Sequence, residues 1–267
     1  MVREGQKRLT LFQRMQIHQP WCVFCGGNTP GTSSDHVPPK TVFDFKDRPK
    51  GMEFMQCEGC RQGTRKIDQV AGLMARMYST SPGNKKNRIE IRKIIEGVGN
   101  NASEVLHELR LESTVSADHM SRRALPDAAA VLSAGPIMRS YMNAFGARIA
   151  LALHYKSTGR ILPESGGVFA RWQTNHSIID NEVPETLMAL LGTPQALEQG
   201  RKSTANQFFY QSKAEQNGSQ SAHFFAFRVS FSITAFAFDD FNDMKDAWSM
   251  PDNLFRPGFL KVLQPNK

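Results

Sequence analysis

All four cysteines of this 267-residue chain fall between positions 22 and 60, as Cys22-x-x-Cys25 and Cys57-x-x-Cys60 with 31 residues between the pairs. Two knuckles at this spacing can share one tetrahedral zinc. Redox thiols, or two unrelated pairs, are the alternatives. Four thiolates leave the metal no open position, so a zinc bound here holds the fold and does no chemistry. Trp21 and Phe24 beside the first knuckle read as packing residues. Disulfides are not expected. The chain has no apolar run of membrane-spanning length and no apolar signal core near Met1 to Met15, so it reads as a cytoplasmic protein with reduced thiols and no membrane partner.

Charge is distributed as unevenly as the cysteines. Residues 1–95 hold 17 Lys or Arg against 8 Asp or Glu, a net of +9, which leaves about −1 for the remainder of a chain whose formal charge is +8. A basic segment of this kind attracts a polyanion by counterion release, and nucleic acid is the usual partner. A solvated basic surface that binds nothing has the same composition.

A chain of 267 residues, 40% of them hydrophobic, is long enough for one large domain or two modest ones, and two are expected. Residues 1–20 read as a basic lead-in, helical around Leu11 to Ile17. Ile67, Val70, Met74 and Met77 recur on one helical face, and that helix should end near Ser79 because Ser81-Pro82-Gly83-Asn84 is turn chemistry. A second helix is expected from Asn87 to about Glu96. Gly97 to Asn101 is the candidate boundary, dividing a module at 1–98 from an α+β domain at 99–267. In the latter, Met138, Met142, Phe145, Ile149 and Leu153 form the stripe of a core helix ending before Gly159. Residues 184–199 are expected to be helical, interrupted at Gly192-Thr193-Pro194. From Phe225 to Ala235, apolar Phe227, Val229, Phe231 and Ile233 alternate with polar residues, the period of a strand. Gln207 to Lys213 should pair with it antiparallel around Asn217-Gly218.

Between the knuckles lies Ser33-Ser34-Asp35-His36-Val37-Pro38-Pro39-Lys40. A phosphodiester yields to water only with a base of near-neutral pKa and a cation against the charge that builds on the phosphate. His36 suits the first role, and Asp35, a hard oxygen ligand, suits Mg²⁺ or Mn²⁺. Adjacent strand residues point to opposite faces, so both serve one site only if the backbone bends there. The same dipeptide at Asp118-His119 has no flanking cysteines or prolines and reads as a solvated helix start.

The arrangement from Trp21 to Met77 resembles the zinc-bearing branch of the HNH endonucleases, in the His-Me finger superfamily. It is carried by the two Cys pairs, Asp35-His36 with Pro38 after it, and Gly63-Thr64-Arg65 followed by Asp68-Gln69-Val70-Ala71. The resemblance implies an α+β fold: an N-terminal ββα-metal module with structural zinc, then a mixed α+β domain with an antiparallel hairpin. It also implies a catalytic Mg²⁺ or Mn²⁺ on Asp35, with His36 as general base. That family commonly places Asn or His, the second metal ligand, directly after the fourth Cys. Here Arg61 occupies the position and Gln62 follows. Arginine offers a cation no lone pair. Gln62 could present its amide oxygen instead, or Arg61 could clamp the scissile phosphate. Asp68 lies about 10 Å along the helix from Arg61 at 1.5 Å rise per residue, too far to replace it directly. The middle Asn of the family is also absent, and a backbone carbonyl or Gln56 could orient the histidine. Asp44 and Asp47 read as surface residues, with Glu53 of more interest because it falls near the expected second strand.

The expected function is a metal-dependent endonuclease acting on nucleic acid, DNA first, with Arg65, Lys85, Lys86, Arg88, Arg92 and Lys93 on the backbone phosphates. A degenerate module that binds without cutting is the alternative. A third reading is a zinc staple for protein interaction. Residues 99–267 could choose targets, oligomerise or bind a protein partner. His107, His154, His176 and His223 are scattered and read as surface or core histidines. A role in defence against foreign DNA is implied by the resemblance alone.

Overall fold

In a computed structural model the described residues are 9–77, 84–109, 135–174, 185–228, 230–245, 253–260 and 262. They form a mixed α+β structure with antiparallel sheets, and none of their helices is long and apolar enough to cross a membrane. Helix α1 (Leu11–His18) starts at a capping box, in which Thr10 and Gln13 satisfy each other's backbone amides. An antiparallel ribbon follows, β1 (Ser33–His36) and β2 (Glu53–Gln56), with His36 opposite Glu53. Helix α2 (Glu58–Arg76) begins directly after Cys57 and buries Ile67, Val70 and Met74, while Met77 is its exposed C-cap. Ser79 and the turn at 81–83 lie outside the described residues. Helix α3 (Lys85–Asn101) is longer than the expected 87–96 because Asn84 caps it, accepting from the amides of Lys86 and Asn87. The stretch 97–101, read as a boundary from its Gly and Asn content, lies inside this helix.

Helix α4 (Pro136–Thr158) runs from a proline in its first turn to Gly159, left-handed at φ 71°. All five residues of the predicted stripe are buried. Strand β3 (Gly167–Thr174) comes next, then the short helix α5 (Glu185–Leu191) and the two-residue strands β4 (Glu198–Gln199) and β5 (Lys202–Ser203). Strands β6 (Phe209–Ala214), β7 (Gln220–Phe227), β8 (Phe231–Phe238) and β9 (Leu254–Phe255) join β3 in an antiparallel sheet of order β6-β7-β8-β3-β9. Helix α4 lies on one face of it. At Gly146 the contact is so close that a Cβ would stand 2.7 Å from Ile233 Cγ2. On the other face Leu187, Met188 and Leu191 of α5 cover Phe209, Phe224 and Ala226. Buried residues from Cys22 to Phe255 form one continuous core.

Two sequence expectations are corrected. Residues beyond Pro194 are not helical: proline breaks the run, and Gln195 pairs with Tyr210 through backbone bonds of 2.8 and 2.9 Å. The alternation from 225 to 235 is not one strand. It reverses after Phe227 at Arg228, whose φ is +54°, and Phe227 and Phe231 stack at 4.8 Å across the turn. Arg228 is held there by Asp44 at 3.1 Å and by the Ala75 carbonyl at the end of α2, 3.0 Å away. Val229 lies outside the described residues, as do Asp118, His119 and His176. The expected pairing around Asn217-Gly218 is present as β6 with β7. Phe227, Phe231 and Ile233 are buried on the α4 side, where Phe145 meets Phe227 at 5.7 Å.

Candidate functional site

The ribbon positions both knuckles. Val23 donates to the Met55 carbonyl at 3.0 Å and Thr32 to that of Gln56 at 2.9 Å, so the first knuckle lies against β2, and Cys57 follows β2 directly as the N-cap of α2. Gly26 and Gly27, at φ 78° and 75°, turn the chain back out of the first knuckle. The Gly258 amide donates to the Phe24 carbonyl at 2.7 Å and closes the outer side. The four Sγ atoms of Cys22, Cys25, Cys57 and Cys60 all lie within 4.8 Å of one another. Such a group cannot carry four negative charges without a cation between them. Cys60 and neighbouring backbone groups hydrogen-bond the Cys22 sulfur and hold its pKa down to about 5, whereas burial and the negative charge of Cys22 push Cys25 up to about 11. One metal ion relieves the conflict, and four sulfur donors at this separation fit the soft tetrahedral site of a structural zinc.

His36 ends β1. Its Nε2 lies 4.0 Å from a Glu53 carboxylate oxygen, with the histidine side chain 35% exposed and the glutamate 8%. Glu53 is fixed in turn by Arg48 at 3.0 Å and by the Gly51 amide at 2.9 Å. Arg48 is the hub of the loop between the strands. Its buried guanidinium donates to the carbonyls of Val37, Pro38 and Pro49, each at 2.9 Å, and of Gly51 at 2.6 Å. Burial first, then the positive charges of Arg48 and Lys40, hold the His36 pKa below its ordinary value of 6.5, against opposing pulls from Glu53 and Asp35. At neutral pH the imidazole is therefore an uncharged base open to solvent.

No known protein family, curated protein or solved structure matches the chain.

Strand alternation sends Asp35 to other neighbours. Its carboxylate pairs with the guanidinium of Arg148 on α4, and the same guanidinium pairs with Asp68 on α2. Burial raises the Asp68 pKa to about 6, against the pull of Arg148. Arg148 is only 2% exposed, and the ring of Phe24 lies 5.6 Å from it. A lone arginine in the otherwise uncharged stretch Tyr141 to Tyr155 was the signal available in the sequence, since a buried charge must find a partner. Arg61, in the expected ligand position, is 49% exposed and paired with Glu58 at 2.7 Å, and Gln62 donates to the same carboxylate at 2.6 Å. Neither side chain is brought to Asp35 by these bonds. Among the described residues the four cysteines are the only group of three or more candidate ligands close enough to share an ion. Asp35 is not part of that group, and its carboxylate is engaged by Arg148.

The basic residues are on the surface. Arg65 is exposed on α2, and Lys85, Lys86, Arg88, Arg92 and Lys93 are exposed on α3. Lys86 lies over the Phe45 ring at 5.5 Å, so the start of α3 borders the loop that leaves His36. Arg92 pairs with Glu96 at 3.1 Å. Asp44, expected at the surface, is instead buried between Arg76 and Arg228. His154 and His223 are buried and linked through Ser221, with 2.8 Å to each. His107 is exposed.

Proposed function

We propose that the chain is an HNH-like nuclease that binds nucleic acid on its basic first third and cuts a phosphodiester with His36 as general base. The observation that carries this reading is a half-exposed imidazole, held below its ordinary pKa, facing Glu53 on a ribbon stapled by four cysteines. Zinc on those cysteines supplies rigidity. His36 takes the proton of an attacking water as the water oxygen bonds to phosphorus, the phosphorus–oxygen bond to the leaving nucleoside breaks, and that oxygen takes a proton from solvent. Glu53 steadies the imidazolium that forms. Lys40, close enough to depress the His36 pKa, places positive charge beside the phosphate. Of DNA and RNA, DNA is the substrate first tested.

Binding without cutting is the second reading, favoured by Asp35 and Arg61 already having partners in Arg148 and Glu58. The test incubates zinc-loaded protein, freed of other metals, with plasmid and labelled DNA and RNA strands, in Mg²⁺, in Mn²⁺ and with no added divalent ion. Cleavage that falls about 10²–10⁴-fold in His36→Ala, with binding kept, is expected. Binding with no cleavage under any condition would establish the second reading.

A further inference from the structure

We propose that Arg148 is the built-in cation of the Asp35 site: its guanidinium holds the place a divalent ion would take on that carboxylate, and Asp35 is a positioning residue. This rests on reading Asp35-His36 as a phosphodiester site, but it is decided by a separate measurement.

The guanidinium is bound by Asp35 on the ribbon and Asp68 on α2, and is faced by the Phe24 ring of the first knuckle. One residue of α4 thus gathers three parts of the cysteine-bearing module. A metal ion taking Asp35 would have to pull a carboxylate off a cation that is only 2% exposed and whose Nε already has no hydrogen-bond partner. A buried cation left with half its counter-charge is strongly disfavoured. The helix that carries Arg148 cannot shift to make room. Two residues before it, Gly146 is pressed on Ile233, with space for no Cβ, and the helix on both sides is buried. The planar guanidinium fork meets the two carboxylates with separate nitrogens, Nη2 on Asp35 and Nη1 on Asp68.

The sequence would then couple the two halves of the chain. The ribbon and α2 present two carboxylates within reach of one cation, and that cation is delivered 113 residues after Asp35 by a helix of the second half. Without α4 the pair repels. With it, Asp35 is fixed, and the strand end that carries His36 is fixed with it.

Zinc-loaded full-length protein is titrated with Mn²⁺, and free Mn²⁺ is read by electron paramagnetic resonance. The wild type and Asp35→Asn should give the same curve, with no site that depends on Asp35. Folded Arg148→Ala should gain one Mn²⁺ per chain, bound at least about tenfold more tightly than any wild-type site, and the double change with Asp35→Asn should lose it again. A wild-type Mn²⁺ site that Asp35→Asn removes would overturn the proposal, whatever Arg148→Ala does to folding. Failure of both wild type and folded Arg148→Ala to bind Mn²⁺ would also overturn it, because Arg148 would then be filling no cation site. Absence of cleavage in every condition defeats the nuclease reading alone and leaves this titration to give its own answer.

Discussion

A histidine serves as a base only while uncharged, and the residues around His36 set the pH at which that holds. Its pKa lies below 6.5, so the neutral form predominates at pH 7 and is lost as pH falls through the lowered pKa. The cleavage rate should fall as pH drops through the lowered His36 pKa, below where an ordinary histidine would lose its activity. Lys40→Ala removes one of the charges that depress the pKa, so the falling limb should move to higher pH, which a pH–rate profile of the two proteins would measure. An unmoved limb would show that the titrating group is not His36. At this scale the sequence was informative about ligands and uninformative about partners. The cysteine quartet could be read from spacing, because each knuckle is local and only one long-range closure is needed. The partners of Arg148 could not, because they lie 80 and 113 residues away and only the fold chooses them. Asp68, too far along α2 to replace Arg61, shares the Arg148 guanidinium with Asp35 instead.

Helices and strands differ in how much of themselves they announce. The α4 stripe and its terminal glycine were legible because both are local signals, and the stripe is what packs on the sheet. The reversal at Arg228 was hidden because period two continues through it and no glycine or proline marks it. An arginine at positive φ is kept there by Asp44 and Ala75, contacts remote in sequence. Packing of α4 on β8 gives a direct test. Gly146→Ala places a Cβ 2.7 Å from the branched Ile233 side chain in a filled core, so it should cost about 1–3 kcal/mol despite the better helix propensity of alanine. Urea unfolding measures this; equal or greater stability would show that the helix and sheet can separate at that point.

The molecule as a whole shares a single core between the cysteine-bearing module and the sheet. Purified protein should carry about one zinc per chain, and elemental analysis finding none in protein never exposed to chelator would remove the staple from the account. Stripping the metal, or Cys57→Ser, should lower the melting temperature of the entire chain in one transition, because Phe24, Val42 and Phe145 belong to the same buried cluster. Two separate calorimetric transitions would show instead that the halves fold apart. The Gly and Asn cluster at 97–101 lies in the last turns of α3, and such a cluster suits a helix end as well as a domain division. Composition alone could not distinguish the two.

The triad of Asp35, Asp68 and Arg148 also constrains how such a chain can change over time. Loss of the arginine alone leaves two facing carboxylates with no counter-charge, and loss of either aspartate leaves a buried cation short of one. The three positions should therefore be inherited or replaced together. A descendant that exchanged Arg148 for a neutral residue would be expected to change one of the two aspartates with it.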